Sequence, residues 1–393
     1  MWLSVYQRST LEATGQVLPK LLTIHQSCGI KLALKFMSSF IRLGVEPRPV
    51  IITFAVLLWI GIISVPSVLG ETTFTVRQTY TVTNVPSDAK QVRGWFWMPE
   101  DRPDQKVIDF RVVESPESLR ITRDPGYGRK WLYADAAVNP AKPFRIVTEF
   151  KVIRRDVSGM ADAAKARPLT DQDRHVFVEE LRRDQPHMEV TPTFQKIADE
   201  LAGDETNPVT QAHLFFDYII EKSEHYSKFS PTPQGKCLGD AGECMAGTGD
   251  CCTDQHALFI VLCRARGIPC RLMFGSRLKP ENEGKPHDPG YRCWPNFYAP
   301  GLGWVPLDVS SGDAAGLRAD DWFGGLDENR LEWAEGRGLE LEPRSQVRPD
   351  LVIRGWVEVD GKPHKGLERV VNFSRQRPTT SPTNFPAIKS ASK

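Results

Sequence analysis

Between residues 191 and 308 the hydrophobic pattern changes from a helical period to a period of two, and this change constrains the fold most strongly. Apolar residues recur at helical spacing in three successive segments that begin near Thr191, Asn207 and Cys252. Three short runs of alternating apolar residues follow, each bounded by glycine or proline. Helices that precede an antiparallel sheet predict an α+β fold.

Start and stop signals support the three helices. Thr191 and Asn207 each precede a proline, the pattern of an N-cap residue followed by proline in the first helical turn. The third helix is predicted from Cys252 to about Arg266, and Gly267 ends it. The strands that follow are predicted at residues 270–275, 294–298 and 304–308.

The rest of the chain, which at 393 residues is long enough for more than one domain, divides into segments of different composition. Alternating apolar residues before the helices predict a β-sandwich. We predict a leader at 1–70, a β-rich domain at 71–155, a charged linker at 156–190, the helix-and-sheet domain at 191–345, a β-hairpin extension at 346–365 and a disordered tail at 366–393.

The leader contains an uncharged apolar run at residues 50–69 that is about long enough to span a bilayer. Arg42 and Arg48 precede the run, and small residues follow it at 67–70. This order is typical of export, either through a cleaved signal peptide or with a retained transmembrane helix as anchor. The predicted location is periplasmic or otherwise extracytoplasmic, either secreted or attached to the membrane through residues 50–69.

The charge balance gives no sign of a nucleic-acid partner. Lys and Arg together number 50, and Asp and Glu together number 49. Proteins that bind nucleic acid usually carry a basic patch or a run of basic residues, and this sequence contains no long block of like charge. We therefore expect no nucleic acid among the partners.

The cysteines limit the metal and disulfide chemistry. After the leader the chain has seven cysteines, and an odd number leaves at least one thiol unpaired in an oxidising compartment. Cys237, Cys244, Cys251 and Cys252 lack the paired spacing of zinc ligands, and no histidine lies among them. We therefore expect no metal and no cofactor, and a disulfide either between Cys237 and Cys244 or using Cys251.

Cys252 has the position that a nucleophile needs. At the amino end of a helix, backbone N–H groups and the helix dipole stabilise a thiolate and lower the thiol pKa. A thiolate that attacks an amide also needs an imidazole, and a further group to orient that ring, within hydrogen-bonding reach. The strands that follow the helix can supply both.

Three spaced segments resemble the bacterial transglutaminase-like, papain-related cysteine enzymes. They are residues 249–259 (GDCCTDQHALF), 290–298 (GYRCWPNFY) and 300–308 (PGLGWVPLD). The resemblance extends to about residue 343 and implies an α+β core of that family, with peptides, proteins or cell-envelope polymers as partners. It implies Cys252 as nucleophile and Asp308 as orienting acid, with Trp294 and Trp304 as walls of the site.

The resemblance places Arg292 where the family has its catalytic histidine. A guanidinium stays protonated, so Arg292 could stabilise a thiolate but could not accept a proton. His287, just before the strand, and His256, one turn after Cys252, are possible substitute bases. Asp308 could alternatively pair with Arg292 in a buried ion pair.

The sequence leaves open which of two adjacent cysteines is the nucleophile. The interval between Cys244 and Cys251 resembles the family's spacing before the nucleophile, which would favour Cys251. The helix start favours Cys252.

Three functions are compatible with the sequence. The first is thiol-dependent acyl transfer or amide hydrolysis on peptides or proteins through Cys252, impaired if Arg292 has no substitute. The second is a catalytically inactive binding module of the same fold, a possible pseudoenzyme of the cell envelope. The third is a structural envelope protein.

Overall fold

The computed structural model of the protein describes residues 71–157, 161–228, 230, 237–247 and 250–376. The apolar run at 50–69, predicted as a signal peptide or a membrane anchor, lies outside these ranges. Within them, no helix is both long and apolar enough to cross a membrane.

The described strands form three antiparallel sheets, in the orders β13-β1-β6-β3, β12-β11-β2-β5-β4 and β10-β7-β8-β9. Their bounds are β1 Glu71–Val82, β2 Gln91–Trp97, β3 Gln105–Glu114, β4 Arg120–Arg123, β5 Lys130–Ala137, β6 Arg145–Arg155, β7 Cys270–Arg277, β8 Arg292–Ala299, β9 Gly303–Pro306, β10 Arg330–Glu335, β11 Gly355–Val359, β12 Lys362–Pro363 and β13 Leu367–Gln376.

The first two sheets pack face to face. Alternating residues of each sheet meet in one apolar core, where the Tyr80 and Phe96 ring centroids lie 5.0 Å apart. Ile146 of β6 and Leu132 of β5 belong to the same core. The β-rich region predicted before the helices is therefore confirmed.

The carboxyl-terminal strands complete these two sheets. β13 pairs with β1 over its whole length, from Thr73 opposite Gln376 to Val82 opposite Leu367. β11 pairs with β2. The β-rich part of the fold is thus built from both ends of the described chain.

The prediction of disorder from residue 366 onward is wrong for β13, Leu367–Gln376. This strand buries Val371 and Phe373 on alternate positions, which is the period-two pattern of a half-buried strand. The polar composition that suggested disorder belongs to the residues after Gln376. Within the β-hairpin extension predicted at 346–365, Asp360 and Gly361 connect β11 to β12, and both residues adopt positive φ.

Six α-helices lie in the described ranges: α1 Asp171–Val176, α2 Pro192–Ala202, α3 Pro208–Lys222, α4 Ala241–Ala246, α5 Cys252–Ala265 and α6 Val309–Ala315. Thr191 and Asn207 cap α2 and α3 by accepting backbone N–H groups, as the sequence predicts. Every residue of α5 is buried, because α2 and α3 pack on one side and β8 on the other. The predicted α+β fold is confirmed.

Candidate active site

Cys252 is the first residue of α5. The Asp254 carboxylate holds this helix start by accepting the Cys251 backbone N–H at 3.2 Å and the Gly239 N–H at 2.8 Å. The first-turn N–H groups of a helix have no intrahelical acceptor, so a negative charge at Cys252 lies in a favourable field. The position predicted for the nucleophile is therefore built on a rigid, buried element.

A disulfide joins Cys237 to Cys251, with Cα atoms 5.6 Å apart. Of the two predicted pairings, the one that uses Cys251 forms, and Cys244 is a buried free thiol. The Cys251 sulfur is therefore bonded and cannot attack a substrate, which leaves Cys252 as the thiol at the helix start.

Cys293 of β8 faces Cys252 directly. The Cys293 thiol donates to the Cys252 sulfur across 3.5 Å. This hydrogen bond lowers the pKa of Cys252 well below its usual value despite burial, and His225, His256 and Arg292 act in the same direction. Burial and the neighbouring sulfur raise the pKa of Cys293. The negative charge of the pair therefore resides on Cys252.

His256 lies one turn along α5 and is fully buried. Its Nδ1 is 3.2 Å from the Cys293 sulfur, and its Nε2 is 3.3 Å from Asp308 Oδ1. Asp308, His256, Cys293 and Cys252 thus form one continuous chain of polar contacts. The imidazole reaches Cys252 through the Cys293 thiol.

Asp308 lies at the end of β9 and caps α6 through the Ser311 N–H at 2.9 Å. Its other oxygen is 2.6 Å from the Arg330 guanidinium, and both side chains are 1 % exposed. Although burial opposes the charge, Arg330 and His256 hold the pKa of Asp308 well below its usual range. The buried ion pair considered for Asp308 therefore forms with Arg330 of β10, whereas the sequence suggested Arg292.

His225 is a second imidazole near the thiol, and no sequence pattern indicates it. It follows α3, and its backbone bridges to Asp250, two residues before Cys252. The half-buried ring lies near the Cys252 sulfur and helps to lower the pKa of that thiol. A contact made by a loop residue 27 positions earlier in the chain follows no local pattern, so only the folded structure reveals it.

The ring of His225 is oriented by Ser227. The Ser227 backbone N–H donates to His225 Nδ1 at 3.3 Å, and the Ser227 hydroxyl lies 2.7 Å from the same nitrogen. The Ser227 hydroxyl can donate or accept, so it suits Nδ1 in either protonation state while Nε2 gains and loses a proton. The His225 backbone N–H is itself fixed by Asp313 Oδ2 at 2.9 Å.

Arg292 is exposed at the start of β8, where its guanidinium donates to the Tyr291 carbonyl at 3.1 Å. Its charge still contributes to lowering the pKa of Cys252. Strand alternation turns Cys293 toward α5 and Arg292 away from it. The side chain that meets Cys252 from β8 is therefore a thiol.

The two predicted wall residues have different surroundings. Trp294 is buried beneath the Arg330 guanidinium, 5.6 Å from its ring centroid, and so packs behind the Asp308 pair. Trp304 packs against Phe177 and Tyr298 and lies under the Arg271 guanidinium, 4.1 Å away.

His287 lies beside the first sheet. Its backbone bridges to Val371 of β13, and its Nδ1 is 2.8 Å from the Lys285 carbonyl. The ring packs near Phe373 at 6.1 Å. These contacts tie His287 to the β-rich part of the fold.

Among the residues that the structure describes, two side-chain groups have the donor types of a metal site, and neither set fits an ion well. Cys237 and Cys251 lie close to Asp254, but their sulfurs are joined to each other. His213 lies 3.2 Å from Asp217 and 3.3 Å from Asp320 on the surface, where mutual ion pairing accounts for the geometry.

Comparison with known proteins agrees with this architecture. Residues 195–309, from α2 to the start of α6, match the transglutaminase-like superfamily. An uncharacterized protein from Haemophilus influenzae is 26 % identical over 310 residues, covering 69 % of this chain and 81 % of the relative.

A solved structure has the same fold. It is the crystal structure of a candidate cysteine protease from Cytophaga hutchinsonii, with a TM-score of 0.51 at 16 % identity. The alignment covers 80 % of this chain and 93 % of that one, so the likeness includes the β-rich part as well as the helical core.

Proposed function

From the transglutaminase-like domain that this chain contains, we propose that it is an exported thiol enzyme that forms an acyl-enzyme on Cys252 with the carbonyl of a peptide or protein amide. One arrangement carries the proposal: a cysteine at a helix start, with a lowered pKa and the His225 imidazole beside it. This is the combination that activates a thiol for attack on a carbonyl.

The residues of the site account for each step. The Cys252 thiolate attacks the carbonyl carbon, and the first-turn N–H groups of α5 favour negative charge beside it. His225, protonated at both ring nitrogens by the proton that Cys252 gives up as its thiolate forms, donates its Nε2 proton to the leaving amine as the carbon–nitrogen bond breaks and becomes neutral. Water or a second amine then gives a proton to His225 and takes the acyl group, and the thiolate is restored.

His225 takes the role that the resemblance assigns to the position of Arg292. It lies near the nucleophile and helps to lower the pKa of that thiol, it is partly open to solvent, and Ser227 holds the orientation of its ring. Arg292 cannot accept a proton and contributes only its positive charge.

Replacing His225 with glutamine should lower kcat about 10²- to 10⁴-fold, the usual range for loss of an acid–base group. It should also raise the pH at which Cys252 becomes reactive, because His225 helps to lower the pKa of that thiol. Alkylation of Cys252 as a function of pH, read by peptide mass spectrometry, measures the second effect. In the wild type, Cys252 should still be alkylated at pH values well below the ordinary thiol pKa of about 8.5.

His213→Gln is the matched control, because His213 is a partly buried histidine that contacts Asp217 and Asp320 on the surface. It should leave both the turnover and the alkylation profile unchanged. An equal loss of turnover in His225→Gln and His213→Gln would contradict a specific role of His225 in the mechanism.

The second candidate function is a non-catalytic binding module. It is favoured by Arg292, since the resemblance places a proton-accepting histidine there. If the wild type shows no turnover and Arg292→His gains it, the natural protein is the binding module. If the wild type shows turnover and His225→Gln loses it, the natural protein is the enzyme.

The Cys237–Cys251 disulfide supports an extracytoplasmic location, because such bonds persist in oxidising compartments. The apolar run at 50–69 supplies the export signal. Cell fractionation with sequencing of the mature amino terminus separates a cleaved signal, which would start near residue 70, from a retained anchor. Recovery in the cytosol with an intact leader would refute export.

A further inference from the structure

We propose that Cys252 and Cys293 form a reversible disulfide on reaction with a hydroperoxide, with Cys252 as the thiol that is oxidised first and Cys293 as the thiol that resolves it. The site shares its nucleophile with the proposed function but requires no acyl substrate. A molecule with this bond would have no free nucleophile, so oxidation would switch the acyl-transfer site off.

The two sulfurs are already in contact. They lie 3.5 Å apart, between the first turn of α5 and the facing strand β8. A disulfide needs an S–S distance of about 2.05 Å, so the sulfurs must approach by about 1.5 Å. Both cysteines are free thiols in this structure.

The two thiols differ in the way that stepwise oxidation requires. Only a thiolate attacks a peroxide efficiently, and the site favours the thiolate on Cys252. Cys293 stays protonated beside it. Cys252 is 6 % exposed, and the partly exposed His225 lies near its sulfur, so a small oxidant would approach from that side.

His256 and Asp308 provide the base for the second step. Asp308 is a buried carboxylate 3.3 Å from His256 Nε2, and it favours the tautomer with the proton on that nitrogen. Nδ1 is then unprotonated, 3.2 Å from the Cys293 sulfur, and it can accept the Cys293 proton once oxidation has consumed the Cys252 thiolate to which that thiol otherwise donates. The acyl-transfer mechanism does not use this buried pair, and its position suits deprotonation of Cys293.

The chemistry balances with one hydroperoxide. The Cys252 thiolate attacks the terminal oxygen, the O–O bond breaks, and the alcohol leaves after taking a proton, which gives a sulfenic acid. Cys293 then attacks the Cys252 sulfur while its proton passes to His256, and hydroxide leaves as water after recovering that proton. Two thiols are oxidised and one hydroperoxide is reduced, and an external dithiol reverses the bond.

Cys263 and Cys270 provide an internal comparison. Both are fully buried free thiols, and Cys270 is close enough to influence the pKa of Cys263. Burial and Cys270 raise the pKa of Cys263, which disfavours the Cys263 thiolate that would have to react with peroxide. If proximity alone determined reactivity, both pairs would be oxidised. The proposed mechanism predicts oxidation of Cys252 and Cys293 only.

The test exposes the full chain, with reduced thiols, to a small excess of hydrogen peroxide. Remaining thiols are blocked, the protein is digested without reduction, and the peptides are measured by mass spectrometry. We expect a Cys252–Cys293 linked peptide that a dithiol removes, formed at least about tenfold faster than any Cys263–Cys270 link. Sulfinic or sulfonic acid on Cys252 with an unmodified Cys293 would overturn the proposal.

Two variants sharpen the result. Cys293→Ser should lose the link and accumulate over-oxidised Cys252, because nothing resolves the sulfenic acid. Cys244→Ser, which changes another buried free thiol, should form the link at the wild-type rate. Because the readout is the peptide itself, a link in a protein without acyl-transfer activity would support this inference while the proposed function fails.

Discussion

Replacing Cys252 with serine should abolish acyl transfer, with a loss of about 10⁴-fold or more, as expected when a nucleophile that acts as a unit with its base is removed. The serine hydroxyl stays protonated in a site whose charges stabilise the more acidic sulfur as a thiolate. The measurement combines cleavage of a peptide library with incorporation of a primary amine into a protein. A thioester on Cys252, trapped by acid quench and located by mass spectrometry, identifies the intermediate.

Cys244→Ser is the control for this experiment, because it also removes a buried free thiol but lies on α4, outside the contacts around Cys252. It should retain wild-type turnover. Activity that persists in Cys252→Ser and falls in Cys244→Ser would place the chemistry on a different sulfur. Thermal unfolding of both variants shows whether a loss of activity reflects a loss of fold.

The sequence predicted the parts of the fold that depend on local pattern. Thr191, Asn207 and the glycine after α5 are start and stop signals that act within one turn of a helix. The alternation of β8 likewise fixes which side of the strand Cys293 faces. Such features need only neighbouring residues, so they can be recognised before any tertiary contact is known.

The partners of the site were harder to predict because they come from distant segments. His225 reaches Cys252 from a loop after α3, and Arg330 reaches Asp308 from β10. A charged residue such as Arg330 is ordinarily expected at the surface. Its burial is explained only when the carboxylate of Asp308 is found beside it.

The carboxyl-terminal strands show the same limit. Buried and exposed residues alternate along β13. Its partner β1 lies about 290 residues earlier in the chain, however, and no neighbouring residues in the sequence indicate a pairing over that distance. The segment was therefore predicted to be disordered, because polar residues follow it.

Arg330→Met should reduce the free energy of unfolding by about 3 to 5 kcal/mol, the usual effect of removing one partner from a buried ion pair. Arg330 and Asp308 are each 1 % exposed and 2.6 Å apart, so the variant would leave a buried carboxylate without its cation. Denaturant unfolding monitored by tryptophan fluorescence measures the change.

Arg318→Met is the surface control, because Arg318 pairs with Asp321 at side-chain exposures of 82 % and 53 %. Exposed pairs contribute at most about 1 kcal/mol. The double variant Arg330→Met with Asp308→Asn should recover part of the loss, since asparagine removes the unpaired charge and still caps α6. If Arg330→Met and Arg318→Met lower the free energy of unfolding by the same amount, the buried pair does not stabilise the fold. Other contacts must then maintain the position of Asp308 beside His256.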